Sequence, residues 1–248
     1  MTREATAAPR RRRRPTRSGV ILSRELFVET AIRLVSHHGP SGMSARRLGA
    51  ALGADPSAVY RYFRGMDDLA MAITDELISR ATADWVPTGD WRADLEGWGL
   101  SAHAAYVRHP EVALMASHRI SGMTAEMAAV DLILGVLRAA GLGSADAVSA
   151  YMAFIKQMLA FAALDGARRA MPTHSRHRDA QVWLSSYGGA DPMAHPHIAD
   201  CAPELCDGRG PGVMGSDATD DGYPLALRLF LDGLELAVRE GTVGGPAR

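Results

Sequence analysis

Two predicted helices in the N-terminal quarter of the chain are too short to be stable alone, and they constrain the fold more than any other feature. Ser44 can cap the first, over residues 45–52, and Gly53 can end it. Asp55 can cap the second, with Pro56 in its first turn, where proline is tolerated. Isolated helices of this length are marginal in water, so the pair must be held by packing. The apolar positions expected to face inward are Leu48, Ala51, Leu52, Val59 and Phe63.

A longer amphipathic helix precedes this pair. Apolar side chains recur at three- and four-residue spacings over residues 26–35, Ser23 can cap the helix, and Gly39-Pro40 ends it. A helix followed by two short helices joined by a glycine-containing turn is the helix-turn-helix layout. The sequence therefore predicts a three-helix head over residues 21–66.

The rest of the chain continues in helical units, with no stretch of period-two alternation typical of a strand. We predict helices over residues 67–84, 91–108, 110–117, 123–140, 144–170 and 223–239. Between the last two we predict one short helix near 178–187, with most of 171–221 as a long loop. The predicted fold class is all-α: the helix-turn-helix head, then a helical body over residues 67–248.

Charge is distributed unevenly between these parts. Residues 1–65 carry thirteen arginines and four acidic side chains, a net charge of +9, whereas the remainder carries −10. Residues 1–20 have almost nothing to bury, and we expect them to be a disordered arm. Such an arm is either a solvated tail or a segment that runs along DNA phosphates or enters the minor groove. Its candidate DNA contacts are Arg11, Arg12 and Arg13.

Several function classes have no support in the sequence. There is no nucleophile motif, phosphate loop or dinucleotide fingerprint, so we expect neither an enzyme nor a cofactor. The two cysteines are too few for a disulfide scaffold, and no apolar run is long enough to span a bilayer. We expect a cytoplasmic protein with no membrane partner. His195, His197, Cys201 and Cys206 have side chains that suit zinc, but their spacing does not form a paired-cysteine motif, and we expect no metal.

The residues from Met43 to Arg64, MSARRLGAALGADPSAVYRYFR, resemble the DNA-binding domain of the TetR family of transcriptional regulators. The matching features are the small polar opening of the second helix, the L-G turn, the S-x-x-Y-x-Y-F pattern and the D-D-L that follows. The chain departs from the family at Met66, where a phosphate-contacting lysine is usual. Arg64 or the arginine arm could replace that contact.

The resemblance and the residue types together give a set of candidate DNA contacts. Arg46 is a base reader by resemblance, and Arg61 can bind either guanine or phosphate. The others are better suited to phosphates, which position the protein without reading sequence: Ser44, Ser57, Tyr60, Tyr62 and Arg64. Taken without the motif, the same residues would describe an ordinary polar helix surface.

The resemblance also implies a homodimer formed through a four-helix bundle of the last two long helices, and a small-molecule pocket in the body. Aromatic, methionine, histidine and glutamine side chains are the candidate pocket residues, although each could instead be an ordinary core residue. They are Trp85, Trp98, His103, Met115, His118, Met123, Met127, Phe154, Gln157, Met158 and Phe161.

These features predict a transcriptional regulator, as a repressor that binds a palindromic double-stranded operator as a homodimer and is released by a small-molecule effector. The helix over 67–84 is the expected hinge between head and body. The alternative is a structural protein that binds DNA without sequence preference and without ligand control, because the arginine arm alone could supply such binding.

Overall fold

A computed structural model describes residues 21–83, 85–112, 120–207 and 222–240. Every regular element in these ranges is a helix, which confirms the predicted all-α fold. The chain divides into two compact units, and the boundary lies between Ile73 and Thr74. This boundary falls inside a continuous helix, whereas the sequence placed the division at that helix's start.

The N-terminal unit contains the predicted head. Its elements are α1 (Arg24–His38), the 3₁₀ helix η1 (Pro40–Gly42), α2 (Ala45–Leu52), the 3₁₀ helix η2 (Pro56–Arg61) and the first part of α3 (Met66–Thr82). Each predicted cap is present. The side-chain oxygens of Ser23, Ser44 and Asp55 accept hydrogen bonds from backbone amides two or three residues ahead, at 3.1, 3.3 and 2.8 Å. Gly53 ends α2 in the left-handed conformation, with φ of 60°.

The head differs from the prediction in two details. The second short helix, called the recognition segment below, is the 3₁₀ helix η2, which ends at Arg61, whereas the sequence predicted its end near Phe63. Short helices often have 3₁₀ geometry. The inward placement of Ala51 is wrong, because its side chain is exposed and Gly49 occupies the buried position. A Cβ on Gly49 would lie 2.8 Å from the carbonyl oxygen of Ala54. The missing side chain lets α2 approach the turn closely.

The C-terminal unit contains the end of α3 and six further helices within the described ranges. These are α4 (Trp91–Arg108), α5 (Thr124–Ala139), α6 (Ser144–Ala170), α7 (Thr173–Gly188), α8 (Pro196–Cys206) and α9 (Gly222–Glu240). The predicted bounds of α4 and α6 are confirmed to the residue, and those of α5 and α9 to within one residue. The predicted helix over 110–117 lies mostly outside the described residues.

The core of this unit surrounds α6, which packs against α4, α5 and α9. Its buried side chains include Phe154 and Met158, and they contact buried residues of α4 and α9 such as Trp98 and Leu231. By length and composition alone α6 could also cross a membrane. Its packing against three helices is that of the apolar core helix of a bundle.

The predicted loop between α6 and α9 is wrong for residues 173–207. The short helix expected near 178–187 extends over the whole of α7, and α8 follows it. The two helices pack against each other, and the indole nitrogen of Trp183 donates to the carbonyl of Leu205 at 2.9 Å. Neither helix buries a residue, so neither carries the continuous apolar stripe from which a helix is predicted.

Candidate nucleic-acid interface and interior cavity

Four predicted DNA contacts with long side chains, three arginines and a tyrosine, are exposed on the head. Arg46 lies on α2, Tyr60 and Arg61 lie on η2, and Arg64 follows η2. The side chain of Arg64 is 94% exposed, and its guanidinium is 3.9 Å from the carboxylate of Asp68. An ion pair this exposed to solvent is weak and does not fix the arginine side chain in place. These side chains can therefore reach a polyanion without first giving up a buried contact.

Three predicted phosphate contacts have hydroxyls that already take part in hydrogen bonds. Tyr62 donates to the carbonyl of Leu22 at 2.7 Å, and Ser57 donates to Asp55 at 2.6 Å. A phosphate oxygen needs a donor, so each would have to give up its present acceptor. Ser44 differs, because its hydroxyl oxygen accepts from the α2 backbone and its hydrogen can still donate.

An arginine that the sequence reasoning missed holds the end of the recognition segment. Arg24, the first residue of α1, donates to the carbonyl of Tyr62 at 3.1 Å. Its guanidinium also lies 4.4 Å from the centre of the Phe63 ring. Together with the bond from Tyr62 to Leu22, these contacts fix η2 to the start of α1. A charged residue at the start of a helix is ordinary, so the sequence did not indicate that Arg24 makes these contacts.

The cap of the recognition segment is an ionised carboxylate. Hydrogen bonds from the hydroxyl and the amide of Ser57 lower the pKa of Asp55, and Arg61 contributes to the same shift. A negative charge at the start of η2 would oppose a phosphate there. The arginine-arm candidates Arg11, Arg12 and Arg13 lie outside the described residues.

The C-terminal unit contains a partly open cavity of about 70 Å³ between the end of α3 and helices α4, α5 and α6. Most of its wall is apolar. The lining residues are Thr74, Ile78, Ala81, Trp98, Ala102, Tyr106, Glu126, Ala129, Val130, Ile133, Tyr151, Ile155, Met158 and Leu159. A largely apolar cavity with a few polar groups is typical of a small-molecule site.

Of the predicted pocket residues that the structure describes, two line this cavity, Trp98 and Met158. The others that the structure describes lie elsewhere: Phe154 is in the core, Trp85 and Phe161 pack against it, and Met127 is 61% exposed. Met123, His103 and Gln157 are half-buried and also do not line it. Met115 and His118 lie outside the described residues.

His103 belongs to a separate polar cluster. Its Nε2 lies 2.8 Å from a carboxylate oxygen of Asp165 on α6, and its ring stacks on Tyr223 of α9 at 4.3 Å. Within the described part of the chain, the buried hydroxyl of Tyr223 and the amide oxygen of Gln157 have no hydrogen-bond partner. Burial raises the pKa of Tyr223, so its phenol stays protonated.

Three polar or aromatic residues of the wall were not among the predicted pocket residues: Tyr106, Glu126 and Tyr151. A signal existed for the tyrosines. Tyr106 lies eight residues after Trp98, and Tyr151 lies seven before Met158, so each shares a helix face with a predicted residue. Glu126 gave no such signal, because an acidic residue in the first turn of a helix is ordinary.

Glu126 is held at the start of α5 by several hydrogen bonds. Its Oε2 accepts from the hydroxyl of Ser121 at 2.8 Å and from the amide of Gly122 at 2.6 Å. Burial, with the nearby Glu126 carboxylate, raises the pKa of Tyr106 to about 12 and also raises that of Tyr151. Both phenols are therefore neutral hydrogen-bond donors at physiological pH.

The histidine and cysteine side chains considered for zinc lie on α8 and at the residue before it. Across the described ranges, no group of three or more histidine, cysteine, aspartate or glutamate side chains is arranged to hold an ion. Cys201 is an exposed free thiol and Cys206 a half-buried one.

Comparison with known families assigns both units. Residues 27–73 match the model of bacterial regulatory proteins of the tetR family, and residues 86–238 match the C-terminal domain of tetracyclin repressor-like proteins. The chain belongs to the TetR family. The first match covers the helix-turn-helix head, and the second covers α4, α5 and α6, three of the four helices that line the cavity. The resemblance inferred from Met43 to Arg64 is therefore confirmed.

Individual TetR-family proteins give the same assignment. The HTH-type transcriptional repressor DrrR1 of Streptomyces coeruleorubidus is 29% identical over 232 residues, which cover 92% of this chain and 83% of the relative. Relatives of this kind are named as regulators or repressors, which supports a DNA-binding transcriptional regulator and not an enzyme.

Solved structures share the fold. The TetR-type regulator SCO7222 of Streptomyces coelicolor has a TM-score of 0.70 at 22% identity, with 87% of this chain and 98% of that chain covered. The TetR-family protein ActR of the same organism, in complex with actinorhodin, has a TM-score of 0.72 at 19% identity, with 87% and 96% covered.

Proposed function

We propose that this chain is a homodimeric repressor that binds a palindromic operator and leaves it when a small molecule occupies the cavity of the body. Residues 21–66 read DNA, residues 67–248 bind the effector and dimerise, and residues 1–20 contact DNA as a basic arm. The protein acts in the cytoplasm, where bacterial operators are found. The observation that carries the proposal is the presence of an arginine-bearing helix-turn-helix and a partly open, largely apolar cavity in one TetR-family chain.

DNA reading is supported by the side chains that the head leaves exposed. Arg46 and Arg61 can reach base edges in the major groove, where arginine pairs with guanine O6 and N7. Tyr60, which is 54% exposed, and Arg64 are suited to phosphates on either side. The contacts of Arg24 hold the recognition segment in one orientation, so little ordering is needed on binding.

Dimerisation is supported by an apolar stripe on α9. Leu225, Leu229 and Leu236 are 46, 62 and 56% exposed, and their spacings of four and seven residues put them on one helix face. Gly233 is on the same face, where a Cβ would meet nothing within 4 Å. Leu164 on α6 is 69% exposed. Exposed leucines in a row are expected to be covered, and a second copy of α6 and α9 would do so.

Effector control is supported by the position of the cavity next to α3. Thr74, Ile78 and Ala81 form its α3 wall, so an occupant of the cavity touches the helix that leads to the head. The related ActR fold has been solved with actinorhodin bound. A ligand releases operator only if it binds the DNA-incompetent arrangement of the dimer more tightly. A shift of α3 would provide that difference.

The test is a titration of the purified protein onto the DNA upstream of its own gene and onto random DNA, at two salt concentrations. Saturable binding of two subunits per site, with an operator affinity at least about 10³-fold above that for random DNA, is the expected result. Equal, salt-sensitive binding to both DNAs would instead favour the alternative, a structural protein that binds DNA through charge alone.

A further inference from the structure

Among the described residues that line the interior cavity, Glu126 is the one charged side chain. The rest of the described wall is aliphatic or aromatic apart from Thr74. A carboxylate at the edge of an apolar space is costly unless something compensates it. Its compensation in the protein is partial, because both side-chain hydrogen bonds, from Ser121 and Gly122, fall on Oε2. Among the described residues, none donates a hydrogen bond to Oε1.

Three aromatic rings share the cavity with this carboxylate. Trp98, Tyr106 and Tyr151 all line it, and the Glu126 charge acts on the phenols of both tyrosines. The faces of aromatic rings attract cations, and tryptophan does so most strongly. Rings and carboxylate therefore favour the same kind of group, a positive charge with little hydration of its own.

We propose that the cavity binds an apolar organic cation, whose positive nitrogen lies against Glu126 and the aromatic rings. This inference rests on the proposed effector role of the cavity and specifies the ligand's chemistry. A carboxylate or phosphate ligand would be repelled by Glu126. A neutral hydrocarbon would leave Glu126 Oε1 without a partner.

Three probes of nearly the same shape test the charge requirement on the unmodified protein. They are a naphthylmethyl-trimethylammonium ion, its uncharged isostere with a tert-butyl group, and the naphthylacetate anion. Calorimetric titration should show the cation binding at least about tenfold more tightly than the isostere, since a desolvated cation–π contact alone is worth that ratio. The anion should bind most weakly. Tighter binding of the isostere or the anion overturns the proposal, and so does failure of all three to bind.

A conservative variant identifies the residue responsible. Glu126→Gln removes the charge but keeps an amide oxygen that can accept from Ser121 and Gly122, so the start of α5 should be preserved. It should lose about tenfold in cation affinity and leave isostere affinity within about twofold. Glu96→Gln, at an exposed position on α4, is the matched control and should change neither. Equal loss for cation and isostere in Glu126→Gln would mean a structural role only.

Operator binding separates this inference from the proposed function. If the isostere binds best and still releases the protein from operator DNA, the cation proposal fails while effector control stands. If the cation binds as expected and operator affinity is unchanged, the ligand chemistry stands and effector control fails. A melting curve of each variant, with operator affinity measured without probe, excludes misfolding as the cause.

Discussion

A carboxylate oxygen of Asp75 on α3 accepts a hydrogen bond from the backbone amide of Glu126 on α5, at 2.9 Å. The same oxygen also lies 3.4 Å from the hydroxyl of Ser121, which donates to Glu126. One side chain of α3 therefore caps the first turn of α5, at the residue that lines the cavity. Movement of Glu126 towards an occupant would be transmitted to α3 through this bond.

We predict that Asp75→Ala weakens the effect of ligand on operator binding more than it weakens ligand binding itself. Loss of a helix cap of this kind costs about 0.5–2 kcal/mol of stability. The measurement is operator affinity with and without a saturating cavity ligand, alongside the ligand's own affinity. Asp75→Asn keeps an acceptor oxygen and should retain most of the coupling. Equal coupling in the alanine variant and the unmodified protein would rule out this route.

Gly49 tests how closely α2 must approach the turn that leads into η2. A Cβ there would lie 2.8 Å from the Ala54 carbonyl and 3.0 Å from the Pro56 nitrogen, both backbone atoms that cannot rotate away. Gly49→Ala should destabilise the head by about 1–3 kcal/mol and weaken operator binding. Gly65→Ala is the control, because a Cβ at that position meets nothing within 4 Å. Thermal unfolding and operator titration of both variants give the comparison, and equal behaviour would contradict the predicted clash.

Helix boundaries were predictable wherever capping and burial agree. Ser23, Ser44 and Gly53 mark ends that the structure confirms, and α6 begins and ends where expected. Where burial is absent the prediction failed, since α7 and α8 bury no residue and their sequence resembles a loop.

Cavity residues were less predictable than helices, because residue type does not determine which interior side chains face empty space. Phe154 and Met158 lie four residues apart on α6 and are both buried, yet only Met158 lines the cavity. Glu126 was missed because its role depends on α3, which is distant in sequence. Periodicity assigns a residue to a helix face, but the neighbouring helices decide whether that face meets a core or a cavity.

The exposed leucine stripe of α9 predicts that a charged side chain on this helix face would dissociate the dimer. Leu229→Glu places a carboxylate at a position that is 62% exposed in the single chain and buried in the proposed dimer. Stability of the isolated chain should change by less than about 0.5 kcal/mol, which is usual for surface substitutions. The dimer should dissociate, as seen by sedimentation equilibrium. Val86→Glu, at a residue 74% exposed, is the control. A Leu229→Glu protein that stays dimeric would place the interface elsewhere.

The basic arm predicts a change in salt dependence. Deletion of residues 1–17 removes seven arginines, and each phosphate that the arm neutralises contributes about −0.9 to the slope of log K against log salt concentration. The truncated protein should show a shallower slope on operator and random DNA alike. An unchanged slope would mean that the arm does not contact DNA.

Arg46 and Arg47 are neighbouring exposed arginines on α2. Comparison of their alanine variants can distinguish a base contact from a phosphate contact. Arg46→Ala should weaken operator binding by about 1–3 kcal/mol and reduce the ratio of operator to random-DNA affinity, because a base contact is lost. Arg47→Ala removes the same charge from the same helix and should weaken binding to operator DNA and to random DNA to a similar extent. The measurement is competition between operator, single-base operator variants and random DNA at fixed salt. If Arg46→Ala lowers affinity for every DNA equally, Arg46 contacts only phosphate, and Arg61 becomes the remaining candidate for base recognition.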